Sequence, residues 1–137
     1  MLKVDWSDNY SVGIDEIDNQ HKKLFDILNI LIESKELRIH SKNITNTLTK
    51  MVEYANYHFQ TEEKYMLKYK YPEYALHKKE HKEFIKKTGH LCMATMEGNE
   101  MVPIELLTFL ESWLVNHILK TDMKLKPFFL DKNIKQF

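Results

Sequence analysis

The stretch LTKMVEYANYHFQTEEKYMLKY, residues 48–69, carries one stripe of side chains that repeats every three or four residues. The members of the stripe are Leu48, Met51, Ala55, His58, Glu62, Tyr65 and Tyr69. This spacing follows one face of an α-helix, which we expect to begin near residues 41–45 and to run to about Lys70. The stripe is apolar except for His58 and Glu62. The stretch therefore predicts a helix whose buried face holds an imidazole and a carboxylate.

Three further segments show helical periodicity, and only three glycines and three prolines interrupt the chain. We expect the first helix to follow a cap near residues 15–18. Proline is tolerated in the first turn of a helix, so Pro72 marks the start of the third and Pro103 the start of the fourth. The third should end near residues 97–99, and Pro127 should lie beyond the end of the fourth. The predicted inward positions are Leu24, Phe25, Leu28, Leu31 and Ile32; Tyr74, Phe84, Ile85 and Thr88; and Leu106, Leu107, Leu110, Trp113 and Leu114.

Four helices of this length with short connections favour an all-α, up-down-up-down antiparallel four-helix bundle. The 137 residues suit a single domain over 1–137. An N-terminal arm of about seventeen residues contains several side chains that would otherwise be needlessly exposed: Val4, Trp6, Tyr10, Val12 and Ile14. The short C-terminal tail over 128–137 is also apolar, and we expect it to pack on the bundle.

The charge balance argues against two classes of partner. Lys and Arg together number 20, as do Asp and Glu, so the formal net charge is zero. A nucleic-acid or anionic-membrane partner normally requires a basic excess or patch, so we expect neither kind of partner.

Cys92 is the sole cysteine, which precludes an intrachain disulfide and suits a reducing compartment. No stretch approaches the roughly 18 apolar residues of a membrane span. A cytoplasmic location is therefore the expectation.

Five of the seven histidines fall on the predicted inward stripes, and each helix supplies at least one. His21 lies on the first helix and His117 on the fourth. On the third, His77 and His81 are four residues apart, as are His58 and Glu62 on the second. Side chains at i and i+4 are neighbours on a helix surface, so each pair can reach toward one cation. This pattern predicts a metal site inside the bundle.

Asp122 follows His117 by five residues, which corresponds to roughly 140° around an ideal helix. Both side chains can point inward only if the helix is irregular between them. A π-bulge provides such an irregularity and is frequent at functional sites. We therefore predict a distorted turn near Thr121.

The number of inward polar groups indicates two metal ions. Unpaired buried polar groups cost about 1–3 kcal/mol each, so five histidines and two carboxylates would strongly destabilise a metal-free core. Imidazole suits iron, zinc, copper or nickel, and carboxylates add oxygen ligands. Seven protein ligands are too many for one tetrahedral ion and too few to saturate two octahedral ions. Two ions about 3.5–4 Å apart, bridged by carboxylates, fit this number.

These residues together resemble the hemerythrin family. The resemblance rests on Trp6, on residues 10–14 (YSVGI) and on residues 17–21 (IDNQH), followed by the spacings His58-x3-Glu62, His77-x3-His81 and His117-x4-Asp122. It covers essentially the whole chain. It implies a non-haem di-iron centre that binds O2 reversibly, for transport, storage or sensing, without enzymatic activity. His77, His81 and His117 would hold one iron and His21 with His58 the other. Glu62 and Asp122 would bridge both irons, beside an oxo or hydroxo bridge.

The resemblance also implies an apolar pocket at the iron that has only two histidines. Trp113, Leu114 and Ile118 flank His117 at spacings that bring them near the site, and they are the predicted O2 pocket. Phe25 and Phe59 are weaker candidates, for which ordinary core packing is an equally good account. Apolar side chains would keep out the water and protons that would release the bound oxygen as peroxide and leave an inactive di-iron(III) centre.

Two enzymatic alternatives remain open at this point. Residues 77–81, HKKEH, also match the inverted zinc-peptidase motif, which would make Glu80 a general base but leave His21, His58 and His117 unexplained. Ferritin-like di-iron oxidases use Glu-x-x-His pairs, which this chain lacks. A peroxide- or nitric-oxide-reducing activity, or iron storage, would use the same site. A separate redox or O2-accepting protein is a further possible partner.

Overall fold

The computed structural model describes residues 4–36, 42–96 and 102–134, with the side chains of 4–33, 49–90 and 107–134. Within these ranges the secondary structure is entirely helical. The bundle helices are α1 (Asp15–Glu36), α2 (Lys42–Lys68), α3 (Tyr74–Met96) and α4 (Val102–Asn116). A π-helical turn (His117–Thr121) and a 3-10 turn (Asp122–Lys124) lead from α4 into the short α5 (Leu125–Asp131). The expected all-α architecture is confirmed.

The directions of the helices follow from where their histidines meet. His21 lies near the start of α1, His58 toward the end of α2, His77 near the start of α3 and His117 directly after α4. These four side chains belong to one buried cluster. The histidines lie alternately near the start and near the end of successive helices, yet they meet at one level of the bundle. Successive helices therefore run in opposite directions. Contacts between α1 and α4, in addition to those between successive helices, close the bundle.

The apolar core continues the inward stripes read from the sequence. Leu24, Leu28 and Ile32 of α1 pack with Met51 and Ala55 of α2 in one buried cluster, which also includes residues of α3 and α4. One inward prediction is wrong, because the side chain of Ile85 is 45% exposed. Ile85 directly follows the buried Phe84, and one residue turns a helix by 100°, which carries its side chain off the core-facing stripe. The predicted positions Leu48 and Leu106, and the predicted end of α3 at residues 97–99, lie outside the described side chains or residues.

The N-terminal arm is tied to the first turn of α1 by Asp18. One carboxylate oxygen of Asp18 accepts from the hydroxyl of Ser11 and the other from the backbone N–H of Val12. Gly13 has a φ of +88°, a conformation that glycine adopts without strain. Val12 and Ile14 are thereby buried, while Trp6 and Tyr10 pack partly buried against the core. The packing expected for the arm is confirmed.

The C-terminal tail packs on the end of the bundle, also as expected. Phe129 and Ile134 are buried, and the ring of Phe129 lies 6.0 Å from that of Tyr65. Pro127 lies beyond the end of α4, as predicted. It is the third residue of α5, within the first turn, where a missing N–H costs little. Among the described residues, none of the helices is long and apolar enough to cross a membrane.

Candidate metal centre

The seven residues proposed from the sequence as metal ligands converge at one point inside the bundle. All seven are buried, with exposures of 0–3%. They fall into two overlapping sets of possible ligands, in each of which the ligand atoms lie within 4.8 Å of one another. We call His77, His81 and His117 the three-histidine half, and His21 with His58 the two-histidine half. Glu62 and Asp122 belong to both sets.

Asp122 lies between the two halves. Its Oδ2 lies 2.9 Å from Nε2 of His21, and its Oδ1 lies 2.9 Å from Nε2 of His77 and 3.0 Å from Nε2 of His117. One carboxylate thus directs one oxygen to each half. This is the placement expected of a group that contacts two neighbouring cations.

Glu62 makes a second connection between the halves. Its Oε1 lies 3.2 Å from Nε2 of His81 and 3.4 Å from Nε2 of His58, which belong to different halves. Its Oε2 lies 3.7 Å from Nε2 of His21. Glu62 follows His58 by one helical turn on α2, so a single helix contributes both a histidine of one half and a carboxylate shared with the other.

The spacing of these atoms fits a coordination shell. Two nitrogen or oxygen ligands at right angles, each about 2.1 Å from one metal ion, are separated by about 3.0 Å. The Nε2 atoms of His81 and His117 are 3.1 Å apart, and the Asp122 contacts with His77 and His117 are 2.9 and 3.0 Å. A nitrogen that binds a metal is unprotonated. Two such lone pairs that face each other at 3.1 Å are favourable only with a cation between them.

Many of the atoms in the centre lack a hydrogen bond. Within the described residues, the buried side-chain atoms without a partner are Nδ1 and Nε2 of His21, Nε2 of His58, Nε2 of His77, both carboxylate oxygens of Glu62 and of Asp122, and Oδ1 of Asn56. All except the last belong to the centre. The 2.9 Å contact between His21 and Asp122 does not have hydrogen-bond geometry. A native core rarely tolerates such a concentration of unpaired groups, and metal cations would satisfy them together.

The irregular turn predicted near Thr121 is confirmed. His117–Thr121 form a π-helical turn, and the backbone N–H of Asp122 donates to the carbonyl of His117, five residues earlier. The wider turn places both His117 and Asp122 on the inner face. Regular α-helical geometry would have separated the two side chains by roughly 140°.

Three of the histidine rings are oriented by a side-chain oxygen that contacts Nδ1, the ring nitrogen that faces away from the centre. Nδ1 of His58 lies 2.7 Å from Oε1 of Gln20, Nδ1 of His81 lies 3.0 Å from Oε2 of Glu63, and Nδ1 of His117 lies 3.2 Å from Oε1 of Glu80. Each oxygen accepts a hydrogen bond, so Nδ1 carries a hydrogen, and a metal ion in the centre would meet the Nε2 lone pair of each ring.

These supporting roles were not predicted from the sequence. Gln20 was part of a motif without a role, and Glu63 was not among the predicted residues. Glu80 appeared only as the general base of the zinc-peptidase alternative. In the structure Glu80 approaches Nδ1 of His117, whereas Nε2 of the same ring faces the centre. This geometry contradicts a general base directed at a metal-bound water. A search for carboxylates one residue from a candidate ligand would have found both Glu63 and Glu80.

The carboxylates keep protons on some of the rings. Burial alone lowers the pKa of His21 and His77, but the adjoining carboxylates of Asp122 and Glu62 outweigh it and raise the pKa of each to about 9. Burial dominates at His58 and lowers its pKa to about 3. Protons on His21 and His77 therefore partly neutralise the carboxylates in the metal-free protein. Metal binding displaces those protons, because a coordinating histidine nitrogen is unprotonated.

Aromatic rings pack directly on the three-histidine half. Phe59 stacks on His81, with ring centroids 4.1 Å apart, and Trp113 stacks on His117 at 4.5 Å. Leu114 and Ile118 are each 1% exposed and belong to the apolar cluster that contains Phe59. Phe25 instead has its ring contacts with Trp6 and Tyr10 of the arm. The roles of Trp113, Leu114 and Ile118 toward oxygen stay a prediction.

Comparison with known proteins places the chain in a family. Residues 12–129 match the family model described as the hemerythrin HHE cation binding domain. A bacteriohemerythrin of Clostridium acetobutylicum is 35% identical over 121 residues, covering 85% of this chain and 94% of its own length. A bacteriohemerythrin of Stenotrophomonas maltophilia is 33% identical over 118 residues, covering 86% of this chain and 76% of its own length.

The likeness extends to a further relative and to a solved structure. A hemerythrin-like protein of Naegleria gruberi is 30% identical over 121 residues, covering 88% of this chain and 89% of its own. The crystal structure of a hemerythrin point variant superposes with a TM-score of 0.82 at 29% identity, over 93% of this chain and 97% of that one. The family model, the relatives and the buried cluster of histidines and carboxylates agree. The chain is a member of the hemerythrin family.

Proposed function

We propose that this protein binds O2 reversibly at a pair of non-haem iron ions, as a carrier, store or sensor. The observation that carries the proposal is the overlap of two ligand sets that share Glu62 and Asp122. His77, His81 and His117 would hold one iron, and His21 with His58 the other. The two shared carboxylates would contact both, and a solvent-derived oxo or hydroxo group would complete the bridge. When bound, the iron pair supplies the reversible redox chemistry that oxygen binding requires.

The two sets differ in size, and the difference indicates where oxygen would bind. The set with the three-histidine half has five protein residues, whereas the set with the two-histidine half has four. A metal ion in the half with fewer protein ligands would keep a coordination position for a small external molecule. Unlike the sites of ferritin-like oxidases, this centre draws most of its ligands from histidine. That composition favours reversible binding over activation of oxygen.

The residues around the centre support retention of oxygen. Leu114 and Ile118 flank His117 in the sequence and are buried, so they exclude water from that side of the bundle. Exclusion of water limits side reactions such as irreversible oxidation. Gln20 and Glu63 hold the outer nitrogens of His58 and His81, which fixes the direction of both rings. The proposed binding needs no protein acid or base.

The same centre would also suit a different function: a di-iron oxidase, a reductase of peroxide or nitric oxide, or a store of iron.

One experiment separates these functions from reversible binding of O2. Reduced, iron-loaded protein is analysed for metal and its visible spectrum is recorded before and after exposure to air, and again under vacuum. The proposal predicts about two irons per chain and a charge-transfer band that vacuum removes. Rapid formation of a stable ferric spectrum with peroxide release would contradict it, as would a preparation that holds zinc alone.

A further inference from the structure

Glu80 occupies an unusual position beside the metal centre. It lies on α3 between His77 and His81, the two histidines that α3 contributes. Its side chain reaches instead across to the end of α4. Oε1 lies 3.2 Å from Nδ1 of His117, and the hydroxyl of Thr121 donates to Oε1 at 2.9 Å and to Oε2 at 3.1 Å. One carboxylate therefore contacts both ends of the π-helical turn.

The π-helical turn is the segment that most needs such support. Its two ends are His117 and Thr121, and Asp122 follows directly. A π-helical turn is rare because its backbone geometry is less favourable than that of an α-helix. If the turn relaxed to regular α-helix, Asp122 would rotate away from the inner face, where it now lies 2.9 Å from both His21 and His77. Glu80 ties this turn to the helix that carries His77.

The surroundings of Glu80 show that it supports the turn from outside the core. Its side chain is 40% exposed, whereas that of His117 is 1% exposed. Together with His77 and Thr121 it lines a surface pocket of about 270 Å³. Removal of the carboxylate would thus leave the apolar core intact, while it would free the ring of His117 and open a solvent-facing side of the three-histidine half.

We infer that Glu80 is a positioning residue. Its carboxylate accepts hydrogen bonds from His117 and Thr121 and thereby holds the π-helical turn in the geometry in which His117 and Asp122 can bind the same metal ion. The inference rests on the proposed metal-binding function and names a residue outside the seven ligands. Glu80 acts through the hydrogen bonds that its oxygens accept. A glutamine at this position keeps an oxygen that can accept from both His117 and Thr121, whereas alanine keeps none.

The test compares Glu80→Ala, Glu80→Gln and the control Glu83→Ala. Glu83 carries the same charge, is exposed on α3 and lines the same pocket. Each protein is loaded with Fe(II) without oxygen, and transfer of iron to the chelator ferrozine is followed in time. Each is also loaded with Co(II), whose visible absorption reports the geometry of the ligands. The circular dichroism of each metal-free protein verifies the fold.

Loss of a residue that orients a metal ligand typically weakens metal binding 10–100-fold. We expect Glu80→Ala to release iron about 10–100-fold faster than wild type and to alter the Co(II) spectrum. Glu80→Gln should release iron at most about fivefold faster than wild type, because a neutral acceptor replaces a charged one, and should keep the wild-type Co(II) spectrum. Glu83→Ala should be unchanged. Wild-type behaviour of Glu80→Ala would overturn the inference. Equal loss in Glu80→Gln would also overturn it, because charge rather than placement would then be responsible.

These readouts measure metal retention and not oxygen binding. A wild-type protein that holds iron but does not bind O2 reversibly would contradict the proposed function, and the comparison of Glu80 variants would still decide the present inference. A wild-type protein that takes up neither Fe(II) nor Co(II) would overturn both.

Discussion

The two halves of the candidate metal centre share Glu62 and Asp122 but are supported differently. In the three-histidine half, the outer nitrogens of His81 and His117 face the carboxylates of Glu63 and Glu80. In the two-histidine half, the outer nitrogen of His58 faces the neutral amide of Gln20, and both nitrogens of His21 lack a hydrogen bond within the described structure. Rings of Phe59 and Trp113 stack only on histidines of the first half among the described contacts.

From this difference we infer that the two halves would differ in how firmly they hold a metal ion. A carboxylate behind a ligating histidine fixes the ring and raises the basicity of the nitrogen that binds the metal, and a neutral amide does so less strongly. We therefore expect the three-histidine half to hold an ion firmly. We expect the two-histidine half, with one possible protein ligand fewer and weaker support, to exchange a small molecule.

Loss of a shared carboxylate should affect both halves, whereas loss of one histidine should affect one. We expect Glu62→Ala to reduce the iron content from about two ions per chain to nearly none, because Glu62 belongs to both ligand sets. His21→Ala should retain about one ion, held by the three-histidine half. Metal analysis after loading and gel filtration measures both.

The control is Glu53→Ala, which removes an exposed carboxylate from the same helix. It should bind as much iron as wild type. If Glu62→Ala kept one firmly bound ion, Glu62 would serve a single half and the shared arrangement would be wrong. Complete loss of both ions in His21→Ala would mean that the three-histidine half does not hold an ion by itself.

The predicted O2 pocket should matter for oxygen retention and not for iron binding. In Leu114→Asp a buried carboxylate brings water toward the centre, and water accelerates irreversible oxidation. We expect iron content near wild type and decay of the oxygenated spectrum faster by about tenfold or more, the scale on which the environment of a metal alters its reactivity. Leu114→Met is the matched control, since it conserves volume and polarity. An unchanged decay rate in Leu114→Asp would remove Leu114 from the proposed pocket.

Gln20→Glu should make the two-histidine half more like its partner, with a small effect. A carboxylate would then face Nδ1 of His58, and a charged acceptor strengthens a hydrogen bond by about 1 kcal/mol relative to a neutral one. Release of the less tightly held iron to a chelator should therefore slow by about fivefold at most. Gln60→Glu repeats the substitution at an exposed position of α2 and should have no effect. Faster release in Gln20→Glu would contradict the role assigned to the outer nitrogens.

The sequence predicted what depends on spacing along one helix. Apolar positions three and four residues apart located the helices, and the pairs His58–Glu62 and His77–His81 lie together as their spacing required. The five-residue interval between His117 and Asp122 predicted the π-helical turn, because two inward side chains at that interval are incompatible with a regular helix. Each of these inferences needs only the geometry of a single helix.

Contacts between helices could not be predicted from spacing along a single helix. Glu63 supports His81 across 18 residues of sequence and Glu80 supports His117 across 37, so their pairing depends on how the helices pack. Ile85 was predicted to lie on the inner side of the third helix but is exposed, because the width of the core decides whether a position at its border is buried. Pro127 lies beyond α4 as predicted, but the short helix α5 that contains it was not predicted.

In the proposed centre, the two ligand sets hold two neighbouring ions and share Glu62 and Asp122. This arrangement can be tested by anomalous diffraction at the iron absorption edge, from crystals of iron-loaded protein. We expect two anomalous peaks about 3.5–4 Å apart, one beside His77, His81 and His117 and the other beside His21 and His58. A single peak, or two peaks without a carboxylate between them, would contradict it.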